Sequence, residues 1–247
     1  MTVMEASGRC FGVGVGPGDP ELITVKALRI VRTSPVVAYF SAAGRASNAR
    51  QVVSEFLTDD QTELHLVYPV TTEMMPTGET YKAAMSAFYD EAADRVGEAL
   101  SEGRDVAMLC EGDPLFHGSF MYIHNRLSAR YRTEVIPGVP SILAGSAVLG
   151  TPLVCLDEVL TVLSGTLSAD ALERRLADAD AAVVMKVGRN LEKVRGAVRR
   201  AGLLDRAWYV ERATMMGERI MPLDQVDPSN SPYFSMVVIP SSLAPTR

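Results

Sequence analysis

Residues 12–20 read GVGVGPGDP; a short apolar run precedes them, and the helix-like run ELITVKALRIV follows at 21–31. A glycine at every second position from Gly12 to Gly18 removes the Cβ atoms where a strand would leave a sheet. Such bare backbone can approach a ligand closely and can adopt φ > 0. Pro17 fixes one φ and removes one N–H donor. The stretch therefore predicts a shaped, rigid loop between a strand and a helix.

The spacing of these glycines departs from the dinucleotide fingerprint G-x-G-x-x-G. A motif that starts with Gly12 and Gly14 would need its third glycine at position 17, which is Pro17. One that starts with Gly14 and Gly16 would need it at position 19, which is Asp19, so neither start completes the motif. The fingerprint also needs a carboxylate at the end of the second strand, where the run VVAYF at 36–40 is followed by SA. The alternative is a purely structural turn, which is disfavoured because so many glycines are costly to order without a ligand.

The overall composition is that of an ordinary globular chain. Its 247 residues are 47% apolar and 22% charged, enough for one large domain or two small ones. No run of about 18 apolar residues predicts a membrane span, and no secretory signal is recognisable, so we expect a cytoplasmic protein. A net charge of −6 without a basic cluster disfavours nucleic acid as a partner. The three cysteines and three histidines lack ligand spacing, so we expect no metal.

The order of apolar and amphipathic runs predicts an α/β fold with two domains. The first half alternates strands and helices, which is typical of a mainly parallel sheet with helices on both faces. The last three strands have no long helix between them, which predicts a mixed sheet with antiparallel pairing. We expect domains at 1–137, with the glycine-rich cofactor loop, and at 138–247. The predicted strands are 10–15, 36–40, 64–67, 106–110, 134–136, 160–164, 182–187, 208–211, 219–222 and 235–239, and the predicted helices include 24–32, 46–57, 80–102, 119–129, 141–149 and 190–201.

Three unusual loops follow strands of the predicted parallel sheet. They read GVGPGDP at 14–20, EGDPLFHGS at 111–119 and PGVPS at 137–141. Ligands of parallel sheets bind beyond the carboxyl ends of the strands, so these loops predict one binding site. Glu111 and Asp113 are a candidate acid/base pair; alternatively, Asp113 makes local turn hydrogen bonds and Glu111 an ion pair.

The residues at this edge favour chemistry whose reagent is already activated. No GxSxG, HExxH or Walker loop occurs in the chain, so hydrolytic signatures are missing. Methyl transfer from a sulfonium suits a site that is rich in backbone and poor in titrating groups. Its leaving group is a neutral thioether, and the protein mainly aligns the reactants and excludes water.

Four segments carry a resemblance to a known family. GVGVGPGDPELITVKA (12–27), EGDPLFHGSF (111–120), VIPGVPS (135–141) and YVERAT (209–214) resemble the tetrapyrrole (uroporphyrinoid and precorrin) methylases, over nearly the whole chain. YPVTTE (68–73) and the longer segments 111–127 and 209–223 resemble the branch that methylates C20 of precorrin-2. The resemblance implies an active site in the cleft between two α/β domains, and a homodimer. It also implies S-adenosylmethionine as cofactor, and precorrin-2 or cobalt-factor II as substrate in cobalamin biosynthesis.

The resemblance also implies roles for individual residues. Candidate catalytic residues are Tyr68, Glu73 and Glu111, and Tyr39 is a candidate either for the macrocycle or for the core. His117 departs from the family pattern, in which we expect an aromatic residue beside Phe116. The acidic side arms of a tetrapyrrole would meet cationic groups, for which the candidates are Arg45, Arg50, Lys186 and Arg212. The cofactor-binding residues implied are Gly16, Pro17, Glu111, Gly112, Asp113, Phe116, Pro140, Ser141, Met185, Ala213 and Thr214.

Four alternatives stay open at this point. The chain could be a tetrapyrrole methylase for another ring position, or a methylase for RNA or a translation factor, although its acidic balance disfavours RNA. A nicotinamide-dependent oxidoreductase is a third alternative, which the broken fingerprint disfavours. A non-catalytic ligand-binding protein is the fourth.

Overall fold

The protein contains two α/β units. The structure is a computed structural model that describes residues 7–71 and 78–243. The chain divides into the compact units Met1–Pro140 and Ser141–Arg247, close to the predicted boundary after Pro137. Each unit has a five-stranded sheet.

The first unit is built on a parallel sheet. All its strand pairs are parallel, and the strand order is β3-β2-β4-β1-β5. The carboxyl ends of β1, β4 and β5 therefore share one edge, with β1 in the middle. The strands are β1 (Arg9–Gly14), β2 (Val36–Ala42), β3 (Thr62–Tyr68), β4 (Val106–Cys110) and β5 (Arg132–Ile136), and the helices are α1 (Val25–Thr33), α2 (Asn48–Val52), α3 (Glu79–Ser101) and α4 (Phe120–Leu127).

Both faces of this first sheet are covered by helices, as the sequence predicts. Successive strand residues point to opposite faces, so Cys10 of β1 packs with α3 and α4, while Phe11 packs with α1 and α2. Phe120, the first residue of α4, is fully buried in the former layer. A Cβ atom on Gly12 would lie 2.3 Å from the Phe120 ring, so the missing side chain seats α4 against β1.

The second unit has the predicted mixed sheet, in the order β6-β7-β10-β8-β9. β6 and β7 are parallel, whereas β10 runs antiparallel to β7 and β8, and β9 antiparallel to β8. The buried face of α7 carries Leu191, Val194 and Val198, the residues that the sequence places on one face. The elements are α5 (Ser141–Leu149), β6 (Leu160–Ser164), α6 (Ala169–Ala177), β7 (Ala181–Met185), α7 (Leu191–Arg200), β8 (Trp208–Glu211), β9 (Arg219–Pro222) and β10 (Ser235–Ile239).

Helix boundaries follow local capping chemistry. Asp19 accepts a hydrogen bond from the N–H of Glu21, but it caps a 3-10 turn at Pro20–Leu22 and not α1. α1 begins later, where the Thr24 hydroxyl accepts from the N–H of Ala27. Gly103 has φ 78° and ends α3.

Most predicted elements differ from the observed ones by one or two residues at an end, and two larger differences have an identifiable physical cause. The helix expected at 46–57 is wrong as one element, because α2 stops at Val52 and a 3-10 turn occupies Ser54–Phe56. Val53 joins the two with φ −98° and ψ 5°, and its side chain is fully buried against the sheet, so core packing overrides the helical pattern. The strand expected at 182–187 ends at Met185, because Lys186 has φ 57°. Within 7–71 and 78–243, no helix is long and apolar enough to cross a membrane.

Candidate functional site

Three loops of the first unit meet backbone to backbone beyond β1, β4 and β5. A Cβ atom on Gly138 would lie 2.1 Å from the carbonyl oxygen of Gly112, and one on Gly14 would lie 2.6 Å from the same oxygen. These neighbours are backbone atoms, which cannot swing aside as a flexible side chain would. Gly14 and Gly138 must therefore lack a side chain, and the predicted convergence of the three loops is confirmed.

Hydrogen bonds join the same loops. The N–H of Gly112 donates to the carbonyl of Gly16 at 2.8 Å, and Gly16 itself has φ 81°, which favours glycine. Asp113 Oδ1 accepts from the N–H of Leu115 at 2.9 Å, a local turn bond. Its Oδ2 accepts from the N–H of Gly138 at 3.2 Å. Asp113 thus fastens the second loop to the third in addition to shaping its own turn.

Glu111 faces α2. The side chain of Asn48 and the backbone N–H of Ala49 donate hydrogen bonds to its carboxylate. Glu111 as a residue is solvent exposed, yet protein atoms surround the carboxyl, and this desolvation raises its pKa above the usual value against the effect of the two hydrogen bonds. Glu111 and Asp113 therefore have separate hydrogen-bond partners.

Pro17, Phe116 and His117 border these loops. Pro17 and Phe116 are half-buried, and His117 is exposed. His117 has φ 57°, which is uncommon outside glycine, and its ring meets the Phe116 ring edge to face at 5.1 Å. The histidine ring thus lies against Phe116 at a position where the family pattern has an aromatic residue. A cofactor-binding role for Pro17 and Phe116 stays a prediction.

Tyr68, a candidate catalytic residue, ends β3 and donates a hydrogen bond to Ser119 Oγ at 2.7 Å. Tyr89 of α3 donates to the same oxygen at 3.1 Å. Glu73, the other candidate of that segment, lies outside the described residues. Sequence reasoning missed Ser119 and Tyr89; a serine that directly follows the EGDPLFHG loop was the available signal.

Met185, Ala213 and Thr214 share one edge of the second sheet. Met185 ends β7, and Ala213 and Thr214 follow β8; both strands run antiparallel to β10, so their carboxyl ends point the same way. Lys186, Arg212 and Thr214 have φ of 57°, 49° and 64°. Such values are strained for residues with side chains and cluster at functional sites. This clustering supports the cofactor-binding prediction for this edge.

A buried carboxylate that sequence reasoning missed lies at the end of β8. Glu211 accepts from the Tyr209 hydroxyl at 3.1 Å and pairs with Arg212 at 3.1 Å and Arg219 at 3.5 Å. The two guanidinium groups are about half-exposed while Glu211 is buried. Two cations on one anion leave a net positive charge at the surface. Arg212 therefore remains a candidate for binding an anionic ligand.

The other sequence candidates have these surroundings. Burial lowers the pKa of Lys186.

Both oxygens of Glu63 bind the guanidinium of Arg50, at 3.0 and 2.8 Å. The Tyr39 ring stacks on the His65 ring at 5.1 Å and packs against the α1 and α2 layer, in agreement with a core role. The remaining three candidates are the exposed Arg45, the half-buried Pro140 at the end of the third loop, and the half-buried Ser141 at the start of α5.

At the two sheet edges most of the available polar groups are backbone N–H and C=O groups, and few side chains could act as an acid or a base. In the part of the chain that the structure describes, no group of three or more His, Cys, Asp or Glu side chains could hold a metal ion. The thiols of Cys10 and Cys110 are buried, and burial raises the pKa of Cys10 to about 12. Backbone N–H and C=O groups are the donors and acceptors that suit an organic cofactor with many polar groups.

Two α/β units, glycine loops at the edge of a parallel sheet and few titratable groups agree with the methyl transfer that the sequence favours, and comparison with known proteins gives the class, the tetrapyrrole methylases. The model of the tetrapyrrole (corrin/porphyrin) methylases matches residues 9–227. A precorrin-2 C(20)-methyltransferase of Sinorhizobium sp is 49% identical over 233 residues, which cover 94% of this chain and 95% of that protein. The chain therefore belongs to the tetrapyrrole methylase family.

Other relatives differ in length or similarity. Cobalamin biosynthesis protein CobIJ of Mycobacterium tuberculosis is 50% identical over 237 residues, which cover 96% of this chain but 47% of that protein, so the chain spans about half of this relative. The solved structure of a cobalt precorrin-4 methyltransferase has a TM-score of 0.73 at 21% identity and covers 93% of both chains. A Thermus thermophilus uroporphyrin-III C-methyltransferase solved with S-adenosylhomocysteine has a TM-score of 0.62 at 24% identity, covering 94% of this chain and 97% of that chain. The structures support the fold.

Proposed function

We propose that this chain transfers a methyl group from S-adenosylmethionine to C20 of precorrin-2 in cobalamin biosynthesis. The observation that carries the proposal is the 49% identity, over nearly the full length of both chains, to a precorrin-2 C(20)-methyltransferase. A cobalt-precorrin-2 C(20)-methyltransferase of Salmonella typhimurium is 28% identical. The difference favours the metal-free substrate over cobalt-factor II.

The residues of the first unit fit a cofactor held largely by backbone. Gly14, Gly112 and Gly138 bring three strands' loops together with no side chain in the contact. We propose that Gly16, Pro17, Gly112, Asp113 and Phe116 contribute to binding S-adenosylmethionine, together with Glu111, Pro140, Ser141, Met185, Ala213 and Thr214. When bound, the cofactor supplies a methyl group on a sulfonium whose leaving group is neutral.

The reaction then needs little from side chains. C20 of precorrin-2 is flanked by conjugated pyrrolic carbons and nitrogens and behaves as an enamine-like nucleophile. The C20–methyl bond forms as the sulfur–methyl bond breaks, and a proton leaves C20. Hence the protein's contribution is alignment and exclusion of water, which fixed loops supply. Tyr68, Glu73 and Glu111 remain the candidates for contacting the reacting macrocycle.

The test begins with cofactor binding and ends with the product. Titration calorimetry should detect binding of S-adenosylhomocysteine and none of NAD. Incubation with S-adenosylmethionine and metal-free precorrin-2 should add one methyl group, which mass spectrometry counts and NMR locates at C20. Methylation at another ring position would assign the chain to a sibling activity, and preference for the cobalt-loaded substrate would reverse the choice of metal-free precorrin-2.

Two finer proposals rest on the family resemblance. We propose that the protein acts as a homodimer and in the cytoplasm. Light scattering after size-exclusion chromatography gives the mass of the particle in solution, and a value corresponding to one chain would contradict the first proposal. Fractionation of the producing cell tests the second.

A further inference from the structure

Ser119 occupies the N-cap position of α4 but does not cap the helix. Its side chain accepts no hydrogen bond from the first turn of α4, whereas Thr24, Ser47 and Ser168 do so for their own helices. Capping residues ordinarily have extended backbone angles, whereas Ser119 has the helical values φ −78° and ψ −18°, so its hydroxyl does not cap the first turn. The Ser119 hydroxyl is therefore engaged elsewhere.

Two tyrosine hydroxyls occupy the acceptor sites of Ser119. Tyr68 donates to Ser119 Oγ at 2.7 Å and Tyr89 donates to it at 3.1 Å. A serine hydroxyl has two acceptor lone pairs and one proton to donate. Both lone pairs are thus filled, and among the described residues no acceptor is found for the proton of Ser119.

Aromatic contacts hold both tyrosine rings in place beside Ser119. Tyr68 stacks on Phe40 at 5.3 Å, and Tyr89 stacks on Tyr122 at 4.7 Å. The Phe88 ring lies 5.2 Å from the Tyr68 ring and 5.3 Å from the Tyr89 ring. Burial raises the pKa of Tyr89 to about 12, so it keeps its proton near neutral pH. Tyr89 therefore remains a neutral hydroxyl that can donate to Ser119.

Ser119 also lies at the proposed site. It ends the loop that starts at Glu111, and a Cβ atom on Gly118 would lie 3.0 Å from the carbonyl oxygen of Pro114, so the loop is tightly folded. The same loop contacts the first glycine loop through Gly112. Ser119 is half-buried, so part of the residue is open to a ligand at this edge.

We infer that Ser119 donates a hydrogen bond to a carboxylate or carbonyl oxygen of the tetrapyrrole acceptor, with Tyr68 and Tyr89 as positioning residues; this inference rests on the proposed function. A tetrapyrrole of this class carries acidic side arms, and a hydroxyl whose lone pairs are filled is available to them only as a donor. Hydrogen bonds to charged acceptors are roughly twice as strong as neutral ones. Ser119 would therefore contribute to acceptor binding and not to cofactor binding.

The primary test is a set of binding titrations on Ser119→Ala, Ser119→Thr and Ser128→Ala. Sirohydrochlorin, the fluorescent oxidised form of precorrin-2, serves as the probe because its binding can be measured without methyl transfer. Ser119→Ala should weaken sirohydrochlorin binding about tenfold and leave S-adenosylhomocysteine binding within about twofold. Ser119→Thr keeps a hydroxyl and should bind the probe nearly as the unaltered protein does. Ser128→Ala, an exposed serine at the far end of α4, is the matched control and should change neither constant.

A double-substitution cycle separates positioning from packing. Tyr89→Phe alone should weaken sirohydrochlorin binding a fewfold, because the serine hydroxyl can then turn away from the ligand. In the Ser119→Ala background the same substitution should add nothing further. A purely structural role for Tyr89 predicts the same loss in both backgrounds.

The outcomes also separate this inference from the proposed function. Equal sirohydrochlorin binding by Ser119→Ala and the unaltered protein would overturn the role of Ser119, even if precorrin-2 is methylated at C20. A parallel loss of S-adenosylhomocysteine binding would overturn it too. If the unaltered protein binds no tetrapyrrole at all, the proposed function fails and the ligand assigned to Ser119 fails with it.

Discussion

At the scale of single residues, one carbonyl oxygen organises the edge of the first sheet. A Cβ atom added to Gly14 would lie 2.6 Å from the carbonyl oxygen of Gly112, and one added to Gly138 would lie 2.1 Å from it, both too close for non-bonded atoms. No rotamer change relieves such a contact because both partners are backbone. The three loops can keep their relative positions only while these residues have no side chain.

Substituting Gly138 by alanine should therefore separate the second and third loops. The added methyl group must displace the Gly112 carbonyl, which lies beside the Asp113–Gly138 hydrogen bond. We expect a loss of about 1–3 kcal/mol in the free energy of unfolding, the range for inserting atoms into a packed region. We also expect at least tenfold weaker S-adenosylhomocysteine binding by calorimetry.

The control for this substitution is Gly78→Ala. Gly78 has φ −152°, and among the described residues, its chain neighbours aside, no heavy atom lies within 4 Å of the position that its methyl group would take, so alanine fits there. Chemical denaturation and cofactor binding should both stay close to those of the unaltered protein. Normal cofactor binding by Gly138→Ala would mean that the three-loop contact does not shape the cofactor site.

The sequence predicts the three loops that contain Gly14, Gly112 and Gly138, because glycine-rich residues follow a strand in each case, but it does not single out Gly14 or Gly138. It does not predict Ser119, whose partners Tyr68 and Tyr89 are 51 and 30 residues away in the chain. The three hydroxyl groups meet only because α3 and α4 pack against the face of the sheet that carries the Tyr68 side chain at the end of β3. Contacts of this kind depend on tertiary structure, which residue types and spacing do not encode locally.

At the scale of elements, the loop between α5 and β6 is fastened to the chain after β10 by one carboxylate. Glu158 accepts from the N–H of Cys155 at 2.8 Å, and from the N–H and hydroxyl of Ser242 at 3.1 and 3.0 Å. Hydrogen bonding, first from the Ser241 side chain and then from these groups, lowers the pKa of Glu158 from 4.5 to about 2. The bonds favour the charged carboxylate and outweigh desolvation.

This lowered pKa predicts an acid-sensitive link in the second unit. The native state binds the Glu158 proton less tightly than the unfolded chain does, so the stabilisation is fully present above pH 4.5. It should be lost as the pH falls from there through about 2. Glu158→Gln should lower the melting temperature at pH 7, and the difference from the unaltered protein should shrink as acid is added.

Asp157→Asn provides the comparison, since Asp157 is an exposed carboxylate directly next to Glu158. Its melting temperature should follow that of the unaltered protein between pH 7 and pH 3. A Glu158→Gln variant whose deficit is independent of pH would show that the link depends on shape and not on the carboxylate charge.

The ends of some helices and strands cannot be predicted from the local sequence pattern alone. The apolar residues at 46–57 have helical spacing, yet the helix ends at Val52 because burying Val53 and Phe56 against the sheet requires a tighter turn. By contrast, α5 and the strands at 106–110, 160–164, 208–211, 219–222 and 235–239 have the predicted bounds. These segments satisfy local propensity and core packing with the same residues, so the two signals agree.

At the scale of the whole molecule, the family membership accounts for the division into a parallel and a mixed sheet. The matching residues 9–227 extend through both units. The formal charge of −6 disfavours nucleic acid as a ligand, and loops that present mainly backbone groups agree with a small organic ligand. A ligand that binds the folded protein alone must stabilise it by mass action, so the cofactor proposal has a consequence for global stability.

S-adenosylhomocysteine at a hundredfold excess over its dissociation constant should raise the free energy of unfolding by about 2.7 kcal/mol. For a chain of this size the melting temperature should rise by roughly 5–10 °C. NAD at the same concentration should leave it unchanged, because the glycine loop lacks both the fingerprint spacing and the ribose-binding carboxylate. Differential scanning fluorimetry measures both shifts in one experiment. A rise with NAD and none with S-adenosylhomocysteine would contradict the cofactor proposal, since binding to the native state is what produces the shift.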